Sequence, residues 1–350
     1  MRRLKIWMML ISRALGLFAL ARRWTASNPK ILCYHGFELC DEASFRPKLF
    51  ISPALFEQRL ASLHRLGYRV ITLNEAVDRL ASERVEKDSV VITVDDGFSS
   101  FYSRALPALK RYRYPSTVYV TSYYVEKHAP VYRLLLQYMF WKAKPITITV
   151  SGLPGIAPQQ VNLANAQQAE RLMWACIEQG EQRCDEAGRQ ALSMNLGHLL
   201  GLDMSAIGEQ GLMLLMTPEQ LSELPRSGVD VELHTHRHRF PVDQRELAEA
   251  ELRDNREALA RWLGSDWQPR HFCYPSGEWH QRQWAWLDAM GIASSTTCEP
   301  GLNSASTPRH ALHRFLDGED VHEVEFEAAL CGFADLIRLG IGRQEVSAYD

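Results

Sequence analysis

SVVITVDDG, residues 89–97, runs a stretch of apolar and β-branched residues into two adjacent aspartates and a glycine. A short Val/Ile-rich run without polar alternation reads as a strand covered on both faces, as in parallel sheets. Asp95 and Asp96 then fall at its carboxyl end, where α/β barrels build their sites.

The surrounding chain repeats the cycle. PKILCYH (29–35) reads as a strand, PALFEQRLASLHRLG (53–67) as an amphipathic helix, and YRVITL (68–73) as the next strand. NEAVDRLASER (74–84) reads as a helix with Asn74 as its N-cap. RALPALKRYRY then STVYVTS, MTPEQLSELPRSG then VDVELH, QRELAEAELRDNREALARWLG then RHFCYP, QRQWAWLDAMG then IASSTT, and a last ALHRFL complete about seven units. Alternating strands and helices imply parallel strands with helices outside, and about seven units suit a barrel. Residues 128–216 break the rhythm with a hairpin in PITITVSGLPG (145–155) and helical runs, which reads as a rim insertion.

Composition excludes several classes. Lys plus Arg number 39 against 42 Asp plus Glu, a net charge of -3, which is no basic field for nucleic acid. Seven scattered cysteines (33, 40, 176, 184, 273, 298 and 331), with no CxxC, fit reduced thiols better than a disulfide framework.

A second constellation, ELHTHRHRF (232–240), follows the strand VDVEL. Histidines four apart converge on one ion if the chain turns tightly after the strand, and imidazole with carboxylate suits Zn²⁺ or a similar divalent ion. Metal-assisted hydrolysis needs one carboxylate on the ion and one free to take a proton from water, and adjacent acids at a strand end can diverge into those roles.

TVDDGF, HTHRH and FCYPSGEW, in that order, resemble the polysaccharide deacetylases of carbohydrate esterase family four over residues 29–122 and 217–316. The resemblance implies a distorted (β/α)7 barrel. It also implies Asp95 as general base, Asp96, His234 and His238 as metal ligands, and His236 outside the motif. Zn²⁺ is the expected ion, with Co²⁺, Ni²⁺ and Mn²⁺ as alternatives. The third motif implies the Ser276 backbone N–H as an oxyanion donor, with Tyr274, Pro275 and Trp279 on the substrate side. Its commoner form carries an arginine where Cys273 stands, an arginine that holds the base; Arg270 is the substitute within reach in sequence. ILCYHGF is similar to the branch with the poly-N-acetylglucosamine deacetylases, whose permuted order puts the acid histidine on the first strand. That makes His35 the expected general acid, with His313 as the fallback.

The expected activity is metal-dependent N-deacetylation of an N-acetylated amino sugar in a surface polysaccharide, a lipopolysaccharide or a lipid-linked glycan precursor. A de-N-formylase and a catalytically silent glycan-binding barrel are the alternatives. Residues 1–28, with basic flanks and two apolar runs split by Arg13, read as an amphipathic helix on an anionic membrane surface. Trp7, Leu10, Leu17, Phe18 and Trp24 would sit in the bilayer boundary, and Arg2, Arg3, Arg22 and Arg23 on headgroups. The alternative is a helix docked on its own domain. The expected organisation is this helix, a barrel over 29–316 and a helical tail over 317–350. The expected location is peripheral, on the cytoplasmic face of a membrane, the alternative being export or an uncleaved signal anchor.

Overall fold

The structure, a computed structural model, describes residues 2–82 and 86–341. Its centre is a sheet of parallel strands: β1 (Lys30–Tyr34), β2 (Arg69–Val70), β3 (Ser89–Val94), β4 (Ser116–Val120), β5 (Val229–Leu233), β6 (His271–Cys273), β7 (Ser294–Thr296) and β8 (Phe315–Leu316). Seven run in the order β7-β6-β5-β4-β3-β1-β8, and β2 pairs with the first half of β3. Thr296 bridges to Leu312 just ahead of β8, so the two ends of the run meet and the sheet curls into a distorted barrel.

Strand periodicity sorts the side chains into two compartments. Leu32, Val90, Ile92, Val94, Val118 and Phe272 pack with the outer helices, whereas Ile31, Val91, Tyr119, Cys273 and Leu312 form a separate cluster inside. Leu73, Ala76 and Leu80 of the helix Leu73–Ala81 join the inner cluster, so this helix plugs the amino end of the barrel. Its N-cap is Thr72, not Asn74, because the Thr72 hydroxyl already accepts the Glu75 N–H. The Asn74 carbonyl oxygen instead faces Arg270 Nη1 at 2.7 Å and His271 Nε2 at 3.0 Å.

The insertion comprises helices Tyr132–Lys142, Ala166–Arg183, Glu186–Leu199 and Met204–Glu209 and an antiparallel hairpin, Thr147–Val150 with Gln159–Asn162. The second hairpin strand lies beyond the segment read from sequence, since Gly152 and Gly155 both take positive φ in the connection. On its return the insertion runs along the loop after β3: Met216 N–H donates to Gly97 O and Ser99 N–H to Leu214 O, both at 2.9 Å.

Residues 2–25 form two helices, Arg2–Ala14 and Leu17–Thr25, bent by 81° at Gly16. Met9, Phe18 and Ala21 pack against Val324, Ala328 and Cys331 of the C-terminal helices. Phe18, expected in a bilayer boundary, therefore faces the domain, 4.9 Å from the Phe333 ring, and Leu10 is partly covered beside it. Arg2 and Arg22, expected on headgroups, pair with Glu325 and Asp88. These contacts are those of the docked-helix alternative. The end of the tail, residues 342–350, lies outside the described residues.

One buried acid in the barrel wall makes a measurable mark on stability. Glu232 accepts the backbone N–H groups of Arg270 (2.9 Å) and His271 (2.8 Å). Burial pushes its carboxyl up to about 8, against the pull of those two bonds. The folded state thus holds this proton more tightly than the unfolded chain, so stability from Glu232 is full below about pH 4.3 and is lost as pH rises towards 8. Buried His271, pushed down to about 3, gives the opposite slope, but only below about pH 6.5. Glu232→Gln, which keeps an acceptor oxygen, is expected to raise the melting temperature relative to wild type more at pH 8 than at pH 6.5. An equal shift at both pH values refutes the assignment.

Candidate active site

The carboxyl ends of β1, β3, β5 and β6 bring His35, Asp95, Asp96, His234, His238 and Ser276 to one end of the barrel. Asp95 continues the inward-facing register of β3 and is buried, whereas Asp96 takes a left-handed φ of 69° that turns its carboxylate away from its neighbour. Gly97 follows at φ 87°, where a Cβ would press on Val120 at 3.3 Å. Thr235, His238 and Ser276 also carry positive φ (67°, 55° and 57°). Left-handed non-glycine residues are costly and persist where surrounding structure enforces them, and they concentrate at functional sites.

Asp95 is held by Arg314. The two guanidinium nitrogens Nη1 and Nη2 donate to Oδ1 and Oδ2 at 2.7 Å each. Nε donates to Thr297 O at 2.8 Å, and Nη1 also reaches Thr93 Oγ1 at 3.2 Å. Burial opposes ionisation of Asp95, but the Arg314 charge and its hydrogen bonds overcome it and hold the carboxyl well below the usual range. Arg270 does not serve this role: it pairs with Asp78 at 2.9 Å, at the opposite end of β6. The missing motif arginine is thereby explained. Cys273 Sγ lies 3.1 Å from Arg314 Nη2 and 3.3 Å from Asp95 Oδ2, so the small thiol leaves room for a guanidinium arriving from the next strand but one.

Asp96 Oδ1 lies 3.3 Å from His234 Nε2 and 3.3 Å from His238 Nε2. Around a tetrahedral ion with bonds of about 2.0–2.1 Å, ligand atoms sit about 3.3 Å apart, so this donor set fits a Zn²⁺-like ion. His234 Nδ1 lies 2.8 Å from Cys273 O, an acceptor that keeps the ring proton on Nδ1 as its donor and leaves Nε2 as the free ligand atom. Asp95 belongs to two other donor clusters, with Cys33 and His35 and with His234 and Cys273. Both its oxygens are committed to Arg314, which leaves Asp96 as the carboxylate available to an ion. His236 turns away, its Nδ1 2.9 Å from Ser122 Oγ.

Two positioning residues were not visible as motifs. Asn255 accepts the His234 N–H (3.1 Å) and donates to Val120 O (2.9 Å), and buried Glu251 accepts the Arg237 N–H (2.7 Å). Their signal is a pair of polar residues at i and i+4 on the buried face of the helix Arg245–Leu263.

His35 Nε2 lies 3.8 Å from Asp95 Oδ2. Burial lowers its pKa, against the pull of Asp95 and Asp96, which favours the neutral ring. His313 cannot replace it: with Leu312 and Arg314 pointing inward, His313 points out, its ring against Gly301. The exposed Ser276 donates its backbone N–H to no group among the described residues and is free for an oxyanion. Tyr274 and Pro275 have buried side chains, and the Tyr274 hydroxyl donates to His310 O at 3.0 Å, so only their backbone is available to a ligand. Trp279 is partly exposed, hydrogen-bonded to Glu299 at 3.0 Å and stacked on Trp284 at 5.8 Å.

Residues 82–178 and 186–294, which carry the aspartate, histidine and proline loops, match the polysaccharide deacetylase family. The chain belongs to that family. Polysaccharide deacetylases of this type are hydrolases acting on amide C–N bonds. YxkH of Bacillus subtilis, whose name places it in the family, is 32% identical over 91 residues, 26% of this chain and 30% of the relative. The chain thus matches less than a third of that relative's length. Among solved structures, the Streptococcus pyogenes deacetylase PplD in complex with acetate superposes with a TM-score of 0.58 at 18% identity, covering 87% of this chain and 99% of that one. IcaB from Ammonifex degensii gives 0.55 at 19%, covering 88% and 97%. A de-N-acetylase from Aggregatibacter actinomycetemcomitans gives 0.55 at 14%, covering 86% and 99%. At these identities the likeness is one of fold.

Removing Arg314 leaves Asp95 charged, buried and unpaired, a loss of about 3–5 kcal/mol. Arg314→Ala is expected to lower the melting temperature, and adding Cys273→Arg is expected to recover part of the loss by returning a guanidinium to the same carboxylate. Thermal melts of both variants check this; no recovery in the double variant refutes the shared position.

Proposed function

We propose that the chain is a metal-dependent N-deacetylase that hydrolyses the acetamide of an N-acetylated amino sugar in a surface polysaccharide, lipopolysaccharide or lipid-linked glycan precursor. The observation that carries this reading is the divergence of two adjacent aspartates, one bound bidentately by Arg314 and one set between two imidazoles at 3.3 Å.

Asp96, His234 and His238 would hold the ion, with Zn²⁺ the best match to the donors. When bound, a divalent ion there supplies Lewis acidity towards the amide carbonyl and water. Asp95, kept ionised by Arg314, accepts the proton of the attacking water. The Ser276 N–H stabilises charge on the carbonyl oxygen, and the exposed part of the Trp279 ring, anchored by Glu299 and Trp284, offers an edge for a sugar ring. His35, taking up a proton during the cycle, delivers it to the departing amine so that the C–N bond breaks to an amine and acetate. Names of the structural relatives, a de-N-acetylase among them, support this chemistry.

Purified protein supplied with Zn²⁺ or Co²⁺ is expected to release acetate from an N-acetylhexosamine oligosaccharide, and Asp95→Asn to abolish release. Release unchanged in Asp95→Asn removes that residue as the base, and formate from an N-formyl substrate in preference to acetate shifts the reading to de-N-formylation.

Metal binding has its own readout. At a hundredfold excess over Kd, a ligand stabilises by about 2.7 kcal/mol, so Zn²⁺ is expected to raise the melting temperature of the chelator-treated protein. Asp96→Ala or His238→Ala is expected to remove that rise; an unchanged rise places the ion elsewhere.

A further inference from the structure

The first acidic residue in the chain is Glu38; seven Arg and Lys precede it, at positions 2, 3, 5, 13, 22, 23 and 30. The two N-terminal helices spend part of that charge inward. Arg2 and Lys5 pair with Glu325, Arg13 with Glu327 and Arg22 with Asp88. Arg3 and Arg23 are exposed and have no acidic partner among the described residues.

The outer face is apolar in a regular pattern. Leu4, Trp7, Met8 and Ile11 recur at helical spacing along the first helix, Leu15 follows it in the connection, and Leu17, Leu20 and Trp24 recur along the second, and all are exposed. Trp7 is 65% exposed, Trp24 66% and Leu15 72%, in a chain that buries most of its large apolar side chains. Exposed apolar area of this kind marks a docking surface.

We infer that this face docks on an anionic phospholipid bilayer and lies in its interfacial plane. At 13 and 9 residues the helices are about 20 and 14 Å long, short of a hydrocarbon core of about 30 Å. The 81° bend stops them from adding end to end. Spanning would also strip Met9, Phe18 and Ala21 from Val324, Ala328 and Cys331, whereas lying flat keeps those contacts. The charge pattern selects the occupant. Unpaired Arg3 and Arg23 beside exposed tryptophans complement anionic headgroups. A symmetric second copy would bury this acid-free face against another acid-free face.

Flotation of the full chain with vesicles tests it. Wild type is expected to float with phosphatidylcholine vesicles containing phosphatidylglycerol, and binding is expected to fall at least about tenfold on phosphatidylcholine alone and in high salt. Trp7→Glu with Trp24→Glu, and separately Arg3→Glu with Arg23→Glu, are expected to reduce binding by a similar factor while keeping the wild-type melting temperature. Wild type that stays unbound, or binds neutral and anionic vesicles equally, overturns the proposal. So does a concentration-dependent dimer, seen by light scattering, that the tryptophan double variant abolishes while vesicle binding is absent.

Discussion

Inside the barrel, an aspartate and an arginine share two 2.7 Å hydrogen bonds with almost no access to water. Such a pair gives little net stability against an apolar replacement of the same shape, because desolvation offsets attraction. Its effect is on geometry and protonation. With the guanidinium gripping both oxygens of Asp95, the carboxylate stays ionised and cannot swing onto an ion. The neighbouring Asp96 is then the carboxylate open to an ion, with a left-handed backbone and an oxygen 3.3 Å from both His234 and His238. Thr93, Thr297 and Cys273 fix the guanidinium in turn, so several strands of the barrel together set the direction of the Asp95 carboxylate.

Much of this was legible in the sequence. Buried β-branched runs such as SVVITV and amphipathic stretches such as PALFEQRLASLHR announce their own periodicity, and the acids and histidines fall directly at strand ends. What could not be read is pairing between distant strands. Arg314 sits ahead of a strand of only two residues, Phe315–Leu316, too short to show alternation. Its inward direction depends on the Thr296–Leu312 bridge that closes the barrel. Arg270, the sequence-based candidate, fails because a short sequence separation from Cys273 becomes a distance along the strand, from one end of the barrel towards the other. His313 fails for a one-residue reason, since neighbours on a strand face opposite sides.

The N-terminal segment gives a similar lesson about faces. Composition alone assigned Phe18 and Trp24 to the same environment, but six positions on a helix separate them by more than half a turn beyond one full turn. Phe18 meets Phe333 and Trp24 meets solvent. Asn255 and Glu251 show the converse, polar side chains that look like surface and instead brace the histidine loop from beneath.

The insertion returns along the backbone of the loop that carries both aspartates, through Met216 to Gly97 and Leu214 to Ser99. A segment joined in this way is mechanically part of the loop. A change in the packing of the insertion is therefore carried to the aspartate loop through its backbone hydrogen bonds. The rim and the two aspartates thus move as one body, while the strands beneath stay fixed by their own pairing.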